Sequence, residues 1–134
     1  MKRLLILLMI LVTSCNNKEI ENILNIFLND KNGIELVLSS DDFSTEECKK
    51  MKNHKEIFES LKSAKNLIDL KNIKKEYQYL NKNLILVIIN CNHNEKENSI
   101  FRLLFYFTLD KTNWKLDWIA FNNPPNQYED TSDG

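Results

Sequence analysis

Apolar residues follow two rhythms along this chain. In the first half they recur at three- and four-residue spacing, as Ile20, Ile23, Leu24, Phe27 and Leu28, and later as Cys48, Met51, Phe58, Leu61 and Ile68. From Ile73 onward the period changes, and β-branched and aromatic residues take over. The first spacing lines one face of a helix, the second one face of a strand. A first helix therefore starts at Ile20 and ends near Asn32-Gly33, where glycine can adopt a left-handed cap. The short apolar run Ile34 to Leu38 suggests a brief strand. Ser44 and Glu47 fit a capping box that opens a second helix carrying the Cys48 to Ile68 stripe. Lysines 49, 50, 52, 55, 62 and 65 surround that stripe and read as a solvated face. Contact with anionic headgroups is the sharper alternative, which Glu56 and Glu59 oppose.

Four strands are expected at Tyr77 to Leu80, Leu84 to Cys91, Ile100 to Leu109 and Trp114 to Phe121. Their separators are Asn81-Lys82-Asn83, a polar loop from Asn92 to Asn98, and Asp110 to Asn113, so the strands form an antiparallel meander. With Lys111-Thr112 at the tip of the last hairpin, Asp110 faces Asn113. The pairs Leu109 with Trp114, Phe107 with Leu116, Phe105 with Trp118 and Leu103 with Ala120 then make an apolar face for the core. The other face pairs Thr108 with Lys115, Tyr106 with Asp117, Leu104 with Ile119 and Arg102 with Phe121.

The amino-terminal end has a different character. Met1-Lys2-Arg3 is basic, Leu4 to Val12 is uninterrupted apolar sequence, and Thr13-Ser14 precede Cys15. A nine-residue apolar run is too short to span a bilayer and reads as the core of an export signal. Val12-Thr13-Ser14-Cys15 resembles the lipobox of bacterial lipoproteins. That resemblance implies removal of residues 1–14, acylation of Cys15, a tether over 15–19 and attachment to the cell envelope. The thiolate is the nucleophile that such a thioether link requires. Asn16, rather than Asp, implies outer-membrane sorting if the envelope is Gram-negative.

The 134-residue chain carries 18 Lys and Arg against 19 Asp and Glu, a formal net charge of -1. This balance gives no footprint for nucleic acid, and two glycines are too few for a phosphate-cradling loop. One domain is expected over 20–121, followed by an acidic tail at 122–134 that has little to bury and is expected to be disordered. The order of two helices and a four-stranded antiparallel sheet, with Trp114-Lys115-Leu116-Asp117-Trp118-Ile119 as last strand, resembles the NTF2-like and cystatin-like α+β families. Those families imply a curved sheet over helices and, in NTF2-like members, a cone-shaped pocket; they imply no single activity.

The residue chemistry points away from catalysis. His54 and His93 belong to no metalloprotease motif, Cys91-Asn92-His93 lacks a second ligand pair, and Asp30-Lys31-Asn32-Gly33 has no carboxylates at the first and twelfth positions of a calcium loop. No catalytic residue, metal or cofactor is assigned. A small NTF2-like enzyme would draw on Glu76, Asp117, Tyr77, Tyr79 or Tyr106, none of which forms a recognisable pair by sequence. Cys48 and Cys91 remain after Cys15 is lipidated; they are either joined as a disulfide or separately buried. Arg102, the only arginine after residue 14, stands among Leu104, Tyr106, Asp117, Ile119 and Phe121. This is the composition of a binding face for a protein or small ligand. The expected protein is thus an envelope lipoprotein that binds through its sheet, with an immunity or inhibitor protein acting on a toxin or enzyme as the alternative. An internal ion pair of Arg102 with Asp117 or Glu76 is the competing structural explanation.

Overall fold

The computed structural model describes residues 18–94 and 99–122. The expected lipobox and signal segment, and the acidic tail beyond Asn122, lie outside the described residues. The chain forms α1 (residues 18–29), α2 (Gly33–Ser39), α3 (Glu46–Lys49), a 3-10 turn (Lys50–Asn53) and α4 (Lys55–Asn66). These are followed by β1 (Lys75–Asn81), β2 (Leu84–Asn94), β3 (Ser99–Asp110) and β4 (Asn113–Asn122), paired antiparallel in the order β1-β2-β3-β4. The fold is α+β, with the expected meander.

The helical half differs from the two-helix expectation at three points. The apolar run after Gly33 is helix, not strand, because Ile34, Val37 and Leu38 are buried together at helical spacing. Gly33 opens α2 instead of closing α1, and its φ is not positive. Its use is close approach: a Cβ at Gly33 would collide with Ile26 O and come within 2.6 Å of Phe27 O. The expected second helix is broken at His54, whose Nδ1 accepts from Ile57 N at 3.4 Å and begins α4 anew.

The capping box also moves by one residue. Thr45, not Ser44, is the N-cap of α3, accepting from Cys48 N at 3.2 Å. Ser44 is buried, donates to Val37 O at 2.7 Å and makes an isolated parallel bridge with Leu116 on β4.

The core lies between the helices and one face of the sheet. α1 contributes Ile20, Ile23, Leu24, Phe27 and Leu28, which meet Ile85, Val87 and Ile89 of β2 and Leu103, Phe105 and Phe107 of β3 in one buried cluster. Phe27 stands edge-on to Phe105, ring centroids 5.1 Å apart at 86°. Two carboxylates of α1 hold both margins of the sheet: Glu19 accepts the Trp114 N–H at 2.6 Å, and Glu21 pairs with Lys75 at 2.5 Å. Among the described residues, no helix is long and apolar enough to cross a membrane.

Candidate functional site

The last hairpin starts in the expected register and then leaves it. Asp110 pairs with Asn113, Leu109 with Trp114 and Phe107 with Leu116, but the register shifts after Phe107, so that Tyr106 pairs with Trp118, Phe105 with Ile119, Leu104 with Ala120 and Leu103 with Phe121. Asp117 is the extra residue of a β-bulge. It stays where it is because Thr45 Oγ1 donates to Asp117 Oδ1 at 2.9 Å, drawing the carboxylate to the start of α3. One inserted residue exchanges every later side chain between faces.

The candidate face is corrected accordingly. Ile119 is buried and Phe121 packs against the core, so both leave the outer face; Asp117 is held by Thr45. Trp118 and Ala120 take their places. Arg102, Leu104 and Tyr106 remain outside, as expected.

Three cross-strand rows describe the outer face. Gln78, Leu86, Tyr106 and Trp118 make one row, and Glu76, Ile88, Leu104 and Ala120 the next. A third places Asn90 beside Arg102. Leu86 and Ile88, on a central strand between bulky neighbours, are nearly buried although they belong to this face. Trp118 is 41% exposed, and Arg102 is exposed without an ion pair among the described residues. The anticipated internal pairs of Arg102 with Asp117 or Glu76 therefore do not form. Among the described residues its guanidinium has no acidic partner and stands at the end of an apolar strip, able to present its fork to a carboxylate.

The potential acid and base groups are dispersed. Glu76 and Tyr106 belong to neighbouring outer rows with β2 between them, Asp117 is tied to Thr45, and the buried hydroxyl of Tyr77 has no hydrogen-bond partner. Among the described residues no cluster of three metal-binding side chains exists. His54 is a helix cap, while the side chains of Cys91 and His93 lie outside the described residues.

Cys48 is fully buried, and its thiol is free. Burial pushes its pKa from 9.0 to about 12, with a hydrogen bond to Ser44 opposing and the Asp117 charge adding to the rise. The register sets it well apart from Cys91. Thr45, at the head of its helix, donates to Leu116 O, and Leu116 is level with Phe107 and Ile85. Cys91 lies six residues farther along β2, roughly 20 Å by strand rise, whereas a disulfide requires Cα atoms within about 7 Å.

Two clefts occur in the helical layer. One of about 310 Å³ lies between the α1–α2 turn and α4, lined by Lys31, Ile34, Phe58, Lys62 and Lys65 among others; the second, about 300 Å³, runs along Glu35, Leu36 and Ser39. Lys65 reaches from the first cleft to Asp30 O at 2.6 Å and so caps the end of α1. Its pKa is lowered by burial, against the opposing pull of Asp30.

Compared with protein-family models, curated proteins and solved structures, the chain matches none.

Proposed function

We propose that the protein is a membrane-anchored lipoprotein of the bacterial cell envelope, acting as a non-catalytic binding module that holds a protein partner on the outer face of its sheet. The observation that carries this reading is the exposed Arg102 guanidinium, without an ion pair among the described residues, at the end of the strip formed by Ile88, Leu104, Leu86, Tyr106 and Trp118. Aromatic and arginine side chains on an otherwise apolar patch are the usual anchors of protein interfaces. A partner that seats a carboxylate against Arg102 and an apolar group over Leu104 and Tyr106 would bury that patch. The order of helices followed by an antiparallel meander supports kinship with NTF2-like and cystatin-like folds, and the Val12-Thr13-Ser14-Cys15 sequence supports the anchor.

A photo-crosslinking amino acid at position 106, in the acylated protein within its own envelope, tests the reading. One adduct of defined mass is expected, lost when Arg102 is replaced by alanine. Labelling confined to lipid, or an adduct indifferent to Arg102→Ala, would refute a protein-binding role for this face. If the captured protein is a toxin or an enzyme, the module is an inhibitor of the immunity type.

A further inference from the structure

The anchor and the fold meet at a definable end of the domain. Three residues carry the chain from Cys15 to Lys18, a reach of about 10 Å when extended. Lys18 is the first described residue of α1, and Glu19 beside it accepts from Trp114 N, the second residue of β4, directly after the β3–β4 turn. The β1–β2 turn is joined to the same place, because Leu109 N donates to Asn83 O at 3.0 Å. Both hairpin turns and the start of α1 therefore surround the point from which the chain leaves for the lipid.

This end exposes Lys18, Lys82 and Lys111, together with Leu80 at 49%. Its acidic neighbours are already engaged, Glu19 by the Trp114 backbone and Asp110 by Lys115 at 3.1 Å. Lys18, Lys82 and Lys111 enter no ion pair among the described residues. A second basic region, around the cleft of Lys31, Lys62 and Lys65, lies at the far end of α1, roughly 18 Å along the helix from Lys18. Two of its lysines are occupied, Lys62 by Glu59 and Lys65 by Asp30 O.

We propose that the end bearing the two hairpin turns rests on an anionic bilayer surface, with Lys18, Lys82 and Lys111 against lipid phosphates and Leu80 at the interface. This inference rests on the anchoring of Cys15 proposed above. It fixes the domain's attitude: the strands rise from the membrane, and the outer face of the sheet is presented sideways to partners.

Paramagnetic NMR on the acylated protein in nanodiscs tests the contact, using a gadolinium-chelate lipid in discs with or without phosphatidylglycerol. With phosphatidylglycerol, line broadening should concentrate at residues 80–83 and 110–113. At about fivefold per lysine, replacing both Lys82 and Lys111 by alanine should weaken the contact about 25-fold and spread the broadening over the surface. Even broadening of the unaltered protein in anionic discs, or broadening strongest at residues 30–35 and 62–66, would overturn the inference while leaving anchoring intact. Intact mass reads the anchor separately: an unacylated Cys15 would overturn the anchoring and, with it, this contact.

Discussion

Thr45 accepts the Cys48 N–H through the same hydroxyl that donates to Asp117, so one side chain caps α3 and holds the bulge of β4. Helix start and sheet register are thus a single hydrogen-bonded unit. Replacing Thr45 with alanine breaks both bonds and should cost about 1–2 kcal/mol in urea unfolding. Thr45→Ser keeps the oxygen and should retain most of that stability; equal losses in the two variants would show that the hydroxyl is not what matters.

Cys48 supplies a pH dependence with a definite sign. Its pKa is raised to about 12 in the folded state from 9.0, so the folded protein holds the proton more tightly than the unfolded chain does. The associated stability is complete below pH 9 and is lost as the pH rises from 9 towards 12, by about 4 kcal/mol at the upper end. Chemical denaturation of the wild type and of Cys48→Ala across that interval checks this. The slope attributable to Cys48 should vanish in the variant, and in the native wild type the thiol should resist alkylation at pH 8.

Gly33→Ala should be severely destabilising, by about 2–4 kcal/mol, because the added methyl meets the backbone carbonyls of Ile26 and Phe27 and no side chain can move aside. Thermal unfolding measures the effect. A variant as stable as the wild type would mean that the α1–α2 corner opens readily.

Arg102→Ala should leave the melting temperature nearly unchanged, within about 0.5 kcal/mol, since the side chain is exposed and enters no ion pair among the described residues. A loss of 3 kcal/mol or more would instead identify a buried charge partner and make the residue architectural.

The strands and their order were legible in the sequence because each run of β-branched and aromatic residues is closed by a polar turn. The β4 bulge was not. After Asp117 the residues Trp118, Ile119, Ala120 and Phe121 are all apolar, so either parity supplies a core face and a slip by one residue costs nothing in pattern. What decides is Thr45, seventy-two positions away, whose bond to Asp117 no local rule can anticipate. The break at His54 left a fainter trace: the stripe jumps from Met51 to Phe58, skipping the turn where a continuous helix would place another apolar residue. Ile34, Val37 and Leu38 already had helical spacing, but a run that short fits a strand equally well. Gly33 was noticed for its backbone freedom and is needed for its lack of a side chain. As for the candidate face, Arg102, Leu104 and Tyr106 stand on β3, whose own alternation the bulge does not touch, and they lie on the outer face as read, whereas Ile119 and Phe121 lie beyond the bulge on β4 and turn to the other face.

The parallel bridge between Ser44 and Leu116 limits how copies of this domain can polymerise. An exposed strand margin invites addition of another strand, and two such margins on one sheet permit endless stacking into fibres. Here the first half of β4 is already occupied, with Leu116 N donating to Phe43 O at 2.7 Å, Thr45 N donating to Leu116 O, and Trp114 N held by Glu19. The bulge at Asp117 then interrupts the remaining run. Among the described residues β1 offers the more open margin, regular from Lys75 to Tyr79 and irregular only before Asn81, and a sheet that grows on that side alone stops at a pair.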